Sequence, residues 1–172
     1  MKAEDWMVCS VSTCGPETSM SDAAYLMWQN DCGVLPVIDA AGKVVGLITD
    51  RDMCMSACLG GKPLAELRVE QAMSRQVFSC SPSDTIEQVI RVMGDHQVRR
   101  IPVVDAQERL VGILTMNDLV RKLIGLNDSR QRAGIEQRLV EALASICETR
   151  EAALPEPVPS RSGSRLRATP VA

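Results

Sequence analysis

The sequence predicts a mixed α/β fold of the α+β class, in which one unit (strand, helix, strand, strand, helix) occurs twice. Two observations predict it. The stretch GLITDRD, from Gly46 to Asp52, returns 66 residues later as GILTMND, from Gly112 to Asp118. The same offset holds without a gap over residues 7–53, a register that chance does not readily produce. An internal duplication therefore sets the fold.

The expected elements follow from hydrophobic period and turn residues. In the first copy they are a short strand within 11–18, a helix with the stripe Met20, Ala23, Ala24 and Met27, strands at 34–38 and 44–48, and a helix from 49 to about 59. In the second copy the stripe returns as Ile86, Val89, Ile90 and Met93. Asp84 and Glu87 have the spacing of a capping box at the start of that helix.

The domain organisation follows from these elements. We expect a first repeat at 7–60, a linker at 61–72, a second repeat at 73–125, a C-terminal helix at 130–149 and a disordered tail at 154–172. The tail is rich in Pro, Ser and Arg, which is typical of disorder. The C-terminal helix has one apolar face, which needs the body of the protein or a second subunit as its partner.

Composition limits the classes of function. Hydrophobic residues form 45% of the 172 residues and charged residues 24%, as in soluble globular proteins. The net charge of -3 and the 2% of aromatic residues argue against a nucleic-acid partner. No apolar run is long enough for a bilayer, and the first residues lack a signal-peptide core. We therefore expect a cytoplasmic protein with no membrane partner.

The seven cysteines are expected to be reduced thiols, because the cytoplasm is reducing and their number is odd. Cys54 and Cys58 share a helix face, but the chain has no C-x-x-C pair and a single histidine, His96. We therefore predict no metal site. The cysteines are interpreted as small buried hydrophobes and His96 as a surface or cap residue. A thiol-based redox or metal sensor is a weaker alternative.

Two motifs occur in each copy. The pattern h-P-V-h-D spans Leu35 to Asp39 and Ile101 to Asp105, and G-h-h-T-x-x-D follows from Gly46 and from Gly112. Over residues 7 to about 124 this combination resembles the cystathionine-β-synthase (CBS) domain, and two in tandem look like a Bateman module. The chain thus looks like a stand-alone regulatory module.

The resemblance implies two repeats packed sheet to sheet about a pseudo-two-fold axis, with two clefts between them. Members of the family commonly bind AMP, ADP, ATP or S-adenosylmethionine in these clefts, and they often dimerise into a flat disc. An adenine nucleotide as regulatory ligand, a homodimer, and a regulated enzyme or transporter are therefore the expected partners. No further cofactor is expected.

The Thr-x-x-Asp pairs, Thr49 with Asp52 and Thr115 with Asp118, are the first candidate ligand contacts. A carboxylate can accept hydrogen bonds from both ribose hydroxyls, and a threonine at a helix start can bind phosphate beside free N–H groups. The same spacing is typical of a capping box. Both roles are compatible, because a capped helix start can present its second carboxylate oxygen outward.

Arginines distinguish the two copies. Arg99 and Arg100 stand where the first copy has Gly33 and Val34, and a guanidinium suits phosphate. Adjacent strand residues point to opposite faces, so at most one of the two should face a given cleft. Arg51 is a further candidate, and its counterpart Asn117 is uncharged. The two clefts are therefore expected to differ.

The remaining candidates come from the resemblance alone. In the family, the first loop and the proline-containing strand of one repeat hold the adenine, often opposite the aspartate of the other repeat. This assigns Thr13, Val34 and Pro36 to the cleft of Asp118, and Ser79, Val98 and Pro102 to the cleft of Asp52. The alternative for Val34 and Val98 is plain core.

No catalytic constellation emerges from the sequence, so no enzyme and no catalytic residue is predicted. There is no nucleophile with a nearby base and no phosphate-binding glycine loop. The leading hypothesis is a module that senses adenine nucleotides between its repeats. The alternative is a protein-interaction scaffold with unoccupied clefts that docks through its C-terminal helix.

Overall fold

The computed structural model describes residues 1–148, so the predicted disordered tail at 154–172 lies outside the described residues. Each repeat forms an antiparallel hairpin between two helices. The elements are α1 (Ala3–Trp6), α2 (Met20–Gln29), β1 (Val34–Ile38), β2 (Val44–Thr49), α3 (Asp50–Gly60), α4 (Ile86–Asp95), β3 (Arg100–Val104), β4 (Leu110–Thr115), α5 (Met116–Ile124) and α6 (Ser129–Cys147). The predicted C-terminal helix corresponds to α6. No described helix is long and apolar enough to cross a membrane.

The two hairpins have the same register. Pro36 of β1 lies opposite Leu47, and Pro102 of β3 lies opposite Ile113. A proline is tolerated there because the N–H of Leu47 points away from β1 and donates to the carbonyl of Ser74, at 3.0 Å. The Pro36 carbonyl accepts from the N–H of Cys14 at 3.2 Å on the outer edge.

The strand predicted within residues 11–18 is wrong in extent. Only Cys14 pairs, in a single parallel bridge with Val37. The chain turns away directly afterwards, because the N–H of Thr18 donates to the carbonyl of Gly15 at 3.1 Å. Cys80 makes the equivalent bridge to Val103 in the second repeat.

The lead-in segments of the two repeats are exchanged. Val8 pairs with Ile113 of the second repeat, whereas Ser74 pairs with Leu47 of the first. The motif glycines make room for this crossing. A Cβ placed on Gly112 would lie 2.5 Å from the Met7 sulfur, and one on Gly46 would lie 2.7 Å from that of Met73. The exchange interlocks the two repeats.

Each repeat has its own core. The first core combines α2 and the hairpin with Leu67 and Val69 of the linker. The second combines α4, α5 and their hairpin with Ala3 and Trp6 of α1 and with the apolar face of α6. The sheets have two strands each, and helices pack against both of them.

The cap of α4 differs from the prediction. Thr85, not Asp84, is the N-cap residue, and its hydroxyl accepts from the N–H of Gln88 at 3.3 Å. The Gln88 side chain accepts in return from the N–H of Thr85 at 2.8 Å. Asp84 instead accepts from the N–H of Ser81 at 2.8 Å, in the preceding turn. Thr85 has the extended backbone that an N-cap requires, which moves the capping box by one residue.

Helix α6 covers the second repeat. Ile135, Leu139 and Ala142 are buried against it, and a Cβ added to Gly94 of α4 would lie 3.3 Å from Ala142. The hydroxyl of Ser145 donates to the carbonyl of Gly94 at 3.0 Å. The partner that the apolar face of this helix needs is therefore the body of the protein.

The prediction that the cysteines are buried is wrong for most of them. Cys14 and Cys80 are buried and Cys32 is half-buried, whereas the others are exposed: Cys9, Cys54, Cys58 and Cys147. In α3 the buried side is that of Met53, and Cys54 and Cys58 lie on the neighbouring outer face. The spacing correctly placed these two thiols on one face, but it could not tell which face is buried. All seven are free thiols.

Candidate functional site

The start of α5 is a complete capping box. The Thr115 hydroxyl accepts from the N–H of Asp118 at 3.2 Å, while Oδ2 of Asp118 accepts from the N–H of Thr115 at 3.0 Å and from its hydroxyl at 2.6 Å. Thr49 and Asp52 repeat this geometry at 3.2, 3.0 and 2.7 Å. Among the described residues nothing is hydrogen-bonded to Oδ1 of either aspartate. The capping role is real, and it leaves one carboxylate oxygen for a ligand.

A cavity of about 380 Å³, here called the Asp118 cleft, lies between the two repeats. The first repeat contributes the segment from Asn30 to Val34, and the second contributes Arg100 and the start of α5. Five of the predicted residues line it: Val34, Arg100, Thr115, Asn117 and Asp118. The cleft thus places Asp118 opposite the first repeat, the pairing that the resemblance implies.

Sequence reasoning missed five polar residues of this cleft: Ser10, Ser12, Asn30, Asp31 and Arg121. Arg121 lies one helical turn after Asn117, so its spacing carried the signal. Ser12 lines the cleft, whereas Thr13 lines separate depressions that include Ile38. Neighbouring residues of an extended segment point to opposite sides, and sequence alone did not show which of the two, Ser12 or Thr13, faces the cleft.

The other predicted residues lie outside the Asp118 cleft. Pro36 and Pro102 are buried in the middle of their strands. The residues Arg51, Ser79 and Arg99 are exposed. Val98 is half-buried and packs against the second core, as its plain-core alternative expects.

The arginine pair divides as strand alternation requires. Arg100 is half-buried and lines the Asp118 cleft, whereas Arg99 is exposed. Burial, together with the charge of Arg99, lowers the pKa of Arg100, and the carboxylates of Asp50 and Asp52 oppose this shift. A guanidinium remains charged at neutral pH even so. Arg100 therefore places a fixed positive charge between the two repeats.

The counterparts of the Asp118 cleft residues, 66 positions away, define an Asp52 cleft. There Phe78 replaces Ser12 and His96 replaces Asn30. These two rings stack on each other, with centroids 3.7 Å apart and planes 9° from parallel. His96 is also the C-cap residue of α4, one of the roles expected for it. Sequence gave no sign of the stack, because the two residues are 18 positions apart.

Comparison with known proteins agrees with this architecture. The family model of the CBS domain matches residues 3–56 and 69–125. The CBS domain-containing protein YhcV of Bacillus subtilis is 35% identical over 116 residues, which cover 67% of this chain and 81% of the relative. Hypoxic response protein 1 of Mycobacterium tuberculosis is 31% identical over 121 residues, covering 70% of this chain and 84% of the relative.

Solved structures of CBS domain pairs are similar as well. The pair of protein MJ0100 in complex with 5-methylthioadenosine and S-adenosyl-L-methionine is 27% identical with a TM-score of 0.66, covering 73% of this chain and 97% of that one. CBSX2 in complex with AMP is 26% identical with a TM-score of 0.64, covering 73% and 98%.

Hypoxic Response Protein I was solved with two coordinated zinc ions. It is 30% identical with a TM-score of 0.64, covering 70% of this chain and 98% of that one. Within residues 1–148 of the present chain, no cluster of three or more His, Cys, Asp or Glu residues could hold a metal ion. With two matched repeats, a shared fold and relatives at this level of identity, the chain belongs to the CBS domain family as a tandem pair.

Proposed function

We propose that this CBS domain pair is a regulatory module that binds an adenine nucleotide in the Asp118 cleft. One observation carries the proposal: Asp118, with its free Oδ1, lines the same cavity as Arg100 and Arg121. The carboxylate suits the hydroxyls of a ribose, and the two guanidinium groups suit a phosphate. The adenosine ligands of the MJ0100 and CBSX2 structures support the class of ligand.

The lining of the cleft holds two carboxylates, Asp31 and Asp118, and two guanidinium groups, Arg100 and Arg121. The guanidinium groups favour phosphate-bearing ligands over S-adenosylmethionine. The sulfonium of that molecule is positive and would lie in the field of Arg100 and Arg121. AMP, ADP and ATP instead offer negative oxygens to the same groups. The volume of about 380 Å³ is within the usual range of small-molecule sites. We expect the three nucleotides to bind more tightly than adenosine or S-adenosylmethionine.

Regulation would follow from the position of the ligand between the repeats. Val34 belongs to the first repeat and Asp118 to the second, so a bound nucleotide would bridge them. A ligand changes an arrangement only by binding one form more tightly than another. We propose that this bias is transmitted to a separate enzyme or transporter, and that the chain has no catalytic role of its own.

The scaffold alternative would need a different docking surface from the one predicted. The apolar residues of α6, Ile135 and Leu139, are buried against the second repeat. The outer face of α6 offers Val140, which is 65% exposed, among polar neighbours. A partner would have to displace the helix or bind this mainly polar face.

Calorimetry with AMP, ADP, ATP, adenosine and S-adenosylmethionine tests the proposed function. Asp118→Ala removes the carboxylate of the α5 capping box and the proposed ribose contact, and we expect nucleotide affinity to fall at least about tenfold, about 1.4 kcal/mol. Asp128→Ala is the matched control, because Asp128 caps α6 and does not line the cleft. If no nucleotide binds to folded protein at millimolar concentration, the proposal is wrong.

We propose further that the chain forms a homodimer through the outer face of α2 and α3, here called the α2–α3 face. In the second repeat the equivalent surface of α4 is covered by α6, and Gly94 permits this close approach. The counterpart of Gly94 is Trp28, which is 85% exposed and would collide with a helix placed in the same way. The α2–α3 face therefore needs another partner.

A second copy fits this face. Trp28 borders a groove of about 670 Å³ whose lining includes the small residues Ala24, Ala57 and Cys58. Around a two-fold axis, the indole of each chain can enter the groove of the other. Trp28, 85% exposed, and Tyr25, 60% exposed, alone offer roughly 300 Å² of surface, a large part of the roughly 800 Å² that each partner of a stable complex buries. Because α6 covers the second repeat, this pairing uses one repeat of each chain.

A further inference from the structure

The two clefts differ most clearly where a purine would have to lie. In the Asp118 cleft the lining residues Ser12 and Asn30 are small or flexible and polar. Their counterparts in the Asp52 cleft are Phe78 and His96, whose rings are in van der Waals contact at 3.7 Å. The same backbone positions thus frame an open cavity on one side and a closed ring pair on the other.

The ring pair leaves no slot between its members. A purine inserted between two rings needs contact distances of 3.5 Å or more on each face, so the rings must stand about 7 Å apart. The ring centroids lie 3.7 Å apart and the ring planes are 9° from parallel, so the two rings are already stacked on each other. A base could enter between Phe78 and His96 only by separating the two rings.

Phosphate attraction does not explain the difference between the clefts. Arg51, Arg99 and Arg100 are the counterparts of Asn117, Gly33 and Val34, so the Asp52 side also carries guanidinium groups. The charge of Arg100 acts on Asp52 as well as lining the Asp118 cleft. Asp52 itself has the same capping geometry as Asp118 and the same free Oδ1. The Asp52 side differs from the Asp118 side because its stacked rings leave no room for a base between them.

We propose that each chain holds a single adenine nucleotide, in the Asp118 cleft, because the Phe78–His96 stack closes the Asp52 cleft to the purine. The inference rests on the proposed function, and it adds the stoichiometry and the residues that set it. In a module with one open cleft, AMP, ADP and ATP must compete for the same site and cannot bind one chain together.

The chain supplies its own probe, because His96 is its one histidine and Phe78 its one phenylalanine. In proton NMR, the imidazole signals of His96 should be shifted upfield by the Phe78 ring, and Phe78→Leu should remove that shift. During titration with AMP to saturation, the His96 signals of the unaltered protein should stay in place. A large movement of these signals on binding would overturn the inference, because it would show that the stack opens.

Calorimetric stoichiometry gives the second readout. We expect one AMP per chain for the unaltered protein. The double variant Phe78→Ser/His96→Asn installs the residues of the first repeat in the second and should raise this number to two. Two AMP per chain without substitution, or one AMP for the double variant, would overturn the inference and leave the proposed function intact. Absence of any binding would overturn both.

Discussion

The two repeats share the geometry that holds their backbones and differ in what they present to partners. Both helix starts carry the same capping box, with Thr N–H to Asp Oδ2 distances of 3.0 and 3.0 Å. Both motif glycines lie under a methionine of the opposite lead-in. On the helix face and in the clefts, by contrast, Trp28 corresponds to Gly94, and Ser12 corresponds to Phe78.

This difference shows how a duplicated unit acquires two separate roles. The buried contacts tolerate little change, because packing and capping fix them. The exposed helix face and the mouth of each cleft are free to differ. One repeat accepts its own C-terminal helix and has a closed cleft. The other keeps a bare aromatic face and supplies one wall of the open cleft.

Exchange of the residues at the helix face should give the largest effect. Gly94→Trp places the residue of the first repeat under α6, where even a Cβ would lie 3.3 Å from Ala142. We expect α6 to be displaced and Ile135 and Leu139 to be exposed, which lowers the free energy of unfolding by about 3 kcal/mol or more. Urea denaturation measures the change. Gly134→Trp is the control, because a Cβ at Gly134 meets nothing within 4 Å, and an equal loss there would contradict the explanation.

The converse substitution tests the bare face. Trp28→Glu should weaken self-association by about 30-fold or more, about 2 kcal/mol, because a charge would have to be buried in the groove of the partner. Analytical ultracentrifugation over a range of concentrations measures it. Val140→Glu, at an apolar position on α6 that is 65% exposed, should leave association unchanged. A monomer for the unaltered chain at high concentration would refute the dimer.

Loss of the threonine hydroxyl should lower the free energy of unfolding equally in the capping boxes of α3 and α5. Thr49→Val and Thr115→Val each remove a hydroxyl that accepts from one N–H and donates to the aspartate. We expect each variant to lose about 1 kcal/mol of unfolding free energy. Thermal and urea unfolding of both variants would show whether the repeats are as alike in energy as they are in geometry. A clearly larger loss at one site would break the equivalence.

The buried thiols should give the smallest difference between the repeats. Burial raises the pKa of Cys14 to about 11, and burial together with Asp84 raises the pKa of Cys80 to about 12, from an ordinary value near 9.0. The folded protein therefore holds both thiols neutral, whereas the unfolded chain ionises them near pH 9. Below about pH 9 the thiols are neutral in both states, so they do not lower the free energy of unfolding. Above pH 9 the unfolded chain ionises first, so the free energy of unfolding falls as the pH rises.

Thiol labelling at pH 8.5 provides the measurement. The exposed cysteines should react with Ellman's reagent at once, whereas Cys14 and Cys80 should react only after unfolding. The free energy of unfolding should fall as the pH is raised from 9 towards 11. Rapid labelling of either buried thiol in folded protein would contradict its placement.

Much of the fold could be predicted because it is local or repeated. Each hairpin follows from two apolar runs separated by a short polar turn, at residues 39–43 and 105–109. The starts of α3 and α5 follow from Thr-x-x-Asp. Each pattern occurs again 66 residues later, and chance does not readily produce such a repeated match. One error was also local: Asp84 and Thr85 compete for one cap, and only backbone geometry decides between them.

The candidate site was predictable only in part. Asp118 and Val34 came together as the family resemblance implied, because both lie at the ends of elements whose order the motifs fix. Arg121 and Ser12 were missed, and Thr13 was placed on the wrong side of its segment. The direction of a side chain in a short extended stretch depends on what the stretch pairs with, and here that is a single bridge at Cys14.

The sequence by itself determined the duplication, the element order, the capping boxes of α3 and α5 and the positions at which the repeats differ. Tertiary structure decided the exchange of the lead-ins, the docking of α6 on one repeat only, and the stacking of Phe78 on His96. The reason is physical. Spacing fixes which residues share a face within an element, but contacts between elements depend on the path of the whole chain and on competition among faces of similar polarity.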